Sequence, residues 1–159
     1  LTADIGQILM RFRTKRVAVV GDLRKMFCQT AITAEHEKYQ IYLWRGCNQA
    51  IEPEIYVMMR LMFGVSPSPF LAENSVDHHA KQEEINQKFP MATTEVVENL
   101  YVDDYIGGAE TDLEAVELVH QLSGFFSSGG WHITKFARNS SVVMEAIEPE
   151  DRLPGIMVD

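Results

Sequence analysis

The chain has 159 residues, 46% of them hydrophobic, and a formal net charge of −9. That is enough apolar material for one domain with its own core, and it excludes a disordered segment. No apolar run approaches the roughly 20 residues that cross a bilayer, so no membrane partner is expected.

The charge is uneven. Residues 1–60 hold 9 Lys/Arg against 6 Asp/Glu, whereas residues 61–159 hold 5 against 17. So acidic a chain is a poor general binder of phosphate backbones. A local exception is Arg11, Arg13, Lys15, Arg16, Arg24 and Lys25, which flank Asp22 in the sequence. Either a solvated helix end or a phosphate-contact surface accounts for them. Cys28 and Cys47 make neither a disulfide framework nor a zinc motif, which fits a reduced, intracellular protein. No signal peptide or targeting segment is expected. The first residue is Leu1 rather than Met, so a piece of a longer chain is expected.

In chain order, Ile5, Ile8, Leu9 and Phe12 repeat at helical spacing, predicting a short helix over 3–14 with Thr2 as its cap. Val17-Ala18-Val19-Val20 reads as a strand buried on both faces. It ends at Gly21-Asp22, which places a carboxylate at the strand's C-terminal edge. Residues 28–60 form an excursion, with strands predicted near 39–44 and 55–59 and a Gly/Asn/Pro loop between them. Cys28 reads as a small buried residue.

Ser68-Pro69 predicts a helix start, with Ser as cap and Pro at the first helical position. This helix would run through Phe70, Leu71, Val76, Ala80 and Ile85 and stop near Pro90. His78-His79 with Glu83 could hold a metal, although a solvated helix face explains them better. Val96–Tyr101 and Tyr105-Ile106 predict a hairpin with Asp103-Asp104 at its turn. Thr111–Glu114 is a capping box for a helix whose stripe is Leu113, Val116, Leu118, Val119, Leu122 and Phe125/Phe126. Trp131–Phe136 alternates like a strand, with His132, Thr134 and Phe136 on one face. The tail 145–159 carries little signal.

With the excursion set aside, the order is strand, helix, strand, strand, helix, strand. The expected fold class is α+β: an antiparallel split β-α-β-β-α-β sheet with helices on one face, in a single domain over 1–159. The third strand should lie between the first and second. Asp22 and Asp103-Asp104 then share one sheet edge, where neighbouring strands are roughly 4.8 Å apart. Carboxylates gathered so closely repel unless neutralised, and a pair of Mg²⁺ ions would serve. Two such ions roughly 3.5–4 Å apart drive in-line phosphoryl transfer. The competing explanation of Asp103-Asp104 is a tight hairpin turn and nothing more.

Tyr101-Val102-Asp103-Asp104 resembles the Tyr-x-Asp-Asp signature of reverse transcriptases. Three other segments fall in that family's order. Asp22–Phe27 resembles the first catalytic motif, an Asp followed five residues later by an aromatic. Leu61–Phe70 resembles the Gly loop leading to Ser-Pro, and Gly129–Phe136 resembles the motif that ends in Lys. With Leu43-Trp44-Arg45 and Phe63-Gly64-Val65, the set is most similar to Bel/Pao-type retrotransposon polymerases, over roughly residues 1–150.

The resemblance implies a palm over about 17–28 and 61–145 and partial fingers over about 1–16 and 29–60. Thumb, RNase H and integrase would lie outside this fragment, so alone it would be inactive. Asp22, Asp103 and Asp104 would be the catalytic metal ligands for two Mg²⁺ ions, with Mn²⁺ as substitute. Lys135 would protonate the leaving group. Leu23, Arg24, Lys25 and Met26 would hold the triphosphate by their amides, and Phe27 would exclude a 2′-hydroxyl. Phe63 and Gly64 would border the nucleotide, although Phe63 stands where many relatives have Gln. Tyr101 would face the primer end. Implied partners are an RNA or DNA template with primer, deoxynucleoside triphosphates and the remaining polyprotein domains. The implied place is the cytoplasm or a virus-like particle. Two rivals are a repurposed palm that binds nucleic acid or protein without catalysis, and a different two-metal enzyme such as a nuclease.

Overall fold

A computed structural model of the chain describes residues 4–153. In order, the elements are α1 (Ile5–Phe12), β1 (Val17–Leu23), α2 (Met26–Gln29), α3 (Ala34–Glu37), β2 (Ile41–Trp44), β3 (Glu54–Val57), α4 (Ser68–Ala80), α5 (Glu83–Lys88), α6 (Pro90–Asn99), β4 (Leu100–Tyr101), β5 (Asp104–Ala109), α7 (Asp112–Ser128), β6 (Ile133–Arg138) and α8 (Ser141–Glu145), followed by a 3₁₀ turn over Pro149–Asp151.

The main sheet has the order β4-β5-β1-β6, and each neighbouring pair is antiparallel. This is the predicted α+β arrangement, with the third palm strand between the first and the second. β1 is not buried on both faces. Val17, Val19, Gly21 and Leu23 are buried, while Ala18, Val20 and Asp22 are only half-buried. One face is therefore covered, and the alternation of side chains puts Asp22 on the other. The covering layer is built by α6 and α7, which pack on β5 and, for α7, also on β1 and β6. α7 buries Ala115, Leu118, Val119, Leu122, Phe125 and Phe126 at helical spacing, and the Thr111–Glu114 capping box starts it. Each large side chain so buried contributes about 1.5–3 kcal/mol. Leu113 is exposed and stands outside this stripe.

The segment 68–101 differs from its sequence reading. The long helix breaks into α4 and α5, which stops before Pro90 as expected, and Pro90 then begins a further helix, α6. Ser68 is a buried helical residue, and Pro67 takes the cap position with no side-chain bond. Val96–Asn99 are helical, so only Leu100–Tyr101 remain as strand. Ala92, Val96 and Asn99 are buried at helical spacing, and that stripe outweighs the β-propensity of the Val pair.

α1 is capped by Asp4, whose carboxylate accepts from the Gly6 N–H; Thr2 lies outside the described residues. β2 and β3 pair as predicted. Cys28 is exposed, not buried. His78 is exposed while His79 is buried against Phe125 and Trp131, so the two do not share a face. Part of the acidic tail returns to the sheet: Leu153 N–H donates to Phe136 O, and Asp151 pairs with His132 at 2.8 Å. No helix among the described residues is long and apolar enough to cross a membrane.

Candidate active site

Asp22 lies near the C-terminal end of β1, on the open face of the sheet. Its partner in register across the ladder is Asp104, the first residue of β5. Tyr101 faces Asp104 from β4, so Val102 and Asp103 form a two-residue turn between them. The Asp103 carbonyl accepts the Leu23 N–H at 2.7 Å, which ties the turn to the end of β1. Three carboxylates from distant parts of the sequence thus gather at one sheet edge.

The cluster is costly, as carboxylates held together should be. Burial pushes the Asp104 carboxyl above its ordinary value, and the charges of Asp103 and Asp22 push it further. Lys135 opposes that rise. Its ammonium donates to Asp22 Oδ2 at 3.1 Å. The pair is partly exposed and adds about 0–1 kcal/mol to stability.

A β-bulge aims Lys135 at this site. Val20 pairs with Ala137 and Asp22 with Thr134, so two residues of β6 oppose Gly21 alone. Lys135 takes φ +54 there. The bulge also shifts the alternation: a Cβ on Gly21 would collide with Ile133 and approach Phe136. Phe136 therefore packs on the covered face with Ile133, while Thr134 pairs with Asp22. This overturns the shared face predicted for His132, Thr134 and Phe136.

Backbone strain concentrates here. Of the four non-glycine residues with positive φ among those described, Lys25, Val102 and Lys135 border the aspartates; the fourth, Cys47, is in the β2–β3 loop. Val102, at φ +55, is β-branched and has no steric licence for that region. Its N–H donates to Glu73 Oε1 of α4 at 3.1 Å. Glu73 is a residue that the sequence reading missed. Its only sequence signal is an acid at helical spacing from Val76, beside buried Ala72 on the core-facing stripe of α4.

The segment after Asp22 narrows the expected triphosphate cradle. Leu23 N–H is taken by Asp103 O and Arg24 N–H by His132 O at 2.9 Å. Of the four amides expected to make the cradle, Leu23 and Arg24 are thus taken, and Lys25 is left-handed, a conformation found in anion nests. Phe27 is 7% exposed and its ring lies 4.8 Å from that of Phe63, which is 67% exposed. Phe27 is a buried support and Phe63 offers the open aromatic face. Gly64 has φ +80 with free space around it, so backbone can come close there.

The basic residues of α1 do not join this site. Arg16 precedes β1 at its opposite end, roughly 20 Å from Asp22. Arg11 bonds Asn99 Oδ1 and Glu98 O, and Lys15 pairs with Glu110 at 3.7 Å. Their work is to hold α1 against α6 and β5. Only Arg24 and Lys25 of the sequence cluster stand next to Asp22.

Among the described residues, no group of three or more His, Cys, Asp or Glu side chains is close enough to form a metal cage. Mg²⁺ does not require one, since one or two carboxylates plus substrate phosphates suffice. The donor set here, all carboxylate oxygen at a shared edge, fits that kind of site.

An antiparallel sheet with aspartates paired across its two central strands, a carboxylate turn at its edge and helices on one face defines a palm of the reverse-transcriptase-like kind. Among solved structures, the chain is similar to a foamy viral protease-reverse transcriptase in complex with RNA/DNA hybrid, with a TM-score of 0.62 and 19% identity. The match covers 84% of this chain and 16% of that one, so the chain spans about a sixth of its neighbour's length. At that identity the likeness concerns the fold. No protein-family profile and no curated protein matches the sequence.

Proposed function

We propose that the chain is the palm, with part of the fingers, of an RNA-directed DNA polymerase. On this reading it extends a primer 3′-hydroxyl with deoxynucleotides. The observation that carries the reading is the register of Asp22 with Asp104, which brings the Asp103 turn to the end of β1 on a palm sheet. The palm would comprise about 17–28 and 61–145. The motif set argues further for a Bel/Pao-type retrotransposon, with its activity in the cytoplasm or in virus-like particles.

In this reading Asp22 and Asp103 would hold two Mg²⁺ ions, with Asp104 as support. When bound, such ions activate the attacking hydroxyl and stabilise the leaving group. The chain's own residues do the remaining work. Lys25 and Met26 present amides to the triphosphate, Phe27 and Phe63 make the aromatic wall beside the sugar and base, and Gly64 admits the nascent pair. Tyr101 borders the primer end. Lys135, which stands beside Asp22, would serve as proton donor to the leaving phosphate.

The test is primer extension on RNA and DNA templates by the full-length protein that carries this chain, with Mg²⁺ or Mn²⁺. Extension should be lost in Asp22→Asn and in Asp103→Asn. Retention of an RNA/DNA hybrid without any extension by the wild type would favour the binding-module reading. The Lys135–Asp22 pair favours that second reading, because it already supplies one counter-charge to the cluster without a metal.

A further inference from the structure

Glu73 lies outside every motif discussed above, yet it touches the turn that carries Asp103. In a two-residue hairpin the N–H of the first turn residue has no partner in the ladder, and a backbone donor left without an acceptor costs free energy. At Val102 that donor meets Glu73 Oε1 at 3.1 Å. The same residue has φ +55, a conformation that a β-branched side chain keeps only when its surroundings impose it.

Two bonds impose it. Leu23 N–H holds the carbonyl of Asp103 from β1, and Glu73 holds the N–H of Val102 from α4. They hold successive residues of the turn, one from β1 and one from α4, and so restrict the direction in which the Asp103 side chain leaves the backbone. A bond to a carboxylate is shorter and stronger than one to a neutral acceptor. α4 also begins four residues after Gly64, so this bond links the nucleotide-side loop to the carboxylate turn through a single helix.

The geometry points to Glu73 as a positioning residue: its carboxylate holds the strained Val102 turn so that Asp103 is presented beside Asp22. The catalytic half of this statement rests on the polymerase reading above, but the clamp does not. The experiment separates them. Glu73→Ala, Glu73→Gln, Val102→Gly and Glu73→Ala/Val102→Gly are made in the full-length protein that carries this chain. Hydrogen exchange is read at the Val102 amide by mass spectrometry with fragmentation, and primer extension is measured on the same samples.

Glu73→Ala should speed exchange at Val102 by about tenfold. It should lower kcat by about tenfold or more, with the deoxynucleotide KM within about twofold, as misplacement of a reacting group does. Glu73→Gln keeps an acceptor oxygen and should restore both. In the Val102→Gly background the loss of Glu73 should matter less to kcat, because glycine takes positive φ unaided. Unchanged exchange at Val102 in Glu73→Ala overturns the clamp, whatever the activity. Faster exchange with unchanged kcat overturns the catalytic role. If the full-length wild type extends no primer, the polymerase reading falls, and the exchange rates alone decide the clamp.

Discussion

At the scale of single residues, the site is assembled from groups that are each costly in isolation. Phe27 is an example of a residue held by packing. It is buried beneath an exposed Phe63, so its position is set by packing and not by the nucleotide. If its ring blocks a 2′-hydroxyl, Phe27→Ala should admit ribonucleotides in primer extension. Deoxy- over ribonucleotide preference should drop by about 10²-fold or more, the scale of a steric or hydrogen-bond discrimination. Unchanged preference would place selection elsewhere. Glu73 gives a pH prediction. Burial raises its carboxyl pKa above the ordinary value of 4.5, and the Val102 N–H only partly offsets this. The folded chain therefore binds this proton more tightly than the unfolded chain. The stabilisation is full below the ordinary value and is lost as pH rises through the raised one. Asp77, the other acid lining that side of α4, is already paired with Lys81 at 2.5 Å. Glu73→Gln removes the titration, so its melting temperature should gain on the wild type between pH 4 and pH 7. A constant difference across that range would assign the slope to other groups.

At the scale of elements, what held from the sequence is what depends on order and period. The amphipathic stripe and capping box of α7 come straight from residues 111–126, and the sheet order follows from strand order and crossover rules. What the sequence hid are features that exist only once strands are paired. The bulge at Lys135 depends on the register of β6 against β1, and no local pattern in Trp131–Phe136 announces it. The helical state of Val96–Asn99 was hidden for a different reason: tertiary burial at positions 92, 96 and 99 overrode a local preference. That helix also carries a polar network invisible to motif reading. Tyr105 Oη and Asn99 Nδ2 both donate to Glu95 Oε2, at 2.8 and 2.7 Å, and Arg11 in turn donates to Asn99. Tyr105 is fully buried, and burial holds its phenol protonated well above the usual range, with Glu95 adding to the shift. Removing one donor leaves Glu95 the other; removing both leaves it with neither. Tyr105→Phe and Asn99→Ala should each cost about 1–2 kcal/mol. The double variant should cost about 0.5–3 kcal/mol more than their sum in a denaturation cycle. Strict additivity would mean that the two donors do not share the acceptor in solution.

At the scale of the whole molecule, the chain divides into a packed sheet-and-helix body and a thin projection. Every residue of β2 and β3 is exposed, with Leu43 at 66% and Ile55 at 71%. The hairpin is legible in the sequence, but its exposure is not, since Ile41–Trp44 has the composition of a core strand. Its placement comes from its base. Gln40 is buried; its carbonyl accepts the Met58 N–H and its side-chain oxygen accepts the Met62 N–H. Arg60 closes the same base on Gln29 O at 3.0 Å. A two-stranded sheet is marginal by itself, and stacking of Tyr42 on Tyr56 is what its strands share. Such a projection should leave the body's stability alone and govern its solubility, because contiguous exposed apolar surface drives association. Leu43 and Ile55 face each other in the register, so Leu43→Lys with Ile55→Glu places opposite charges on one rung. The double variant should keep the wild-type stability to within about 0.5 kcal/mol. Its sedimentation coefficient should depend less on concentration than that of the wild type. A fall of several degrees in melting temperature would instead show that the hairpin packs on the body, and that the two parts fold as one.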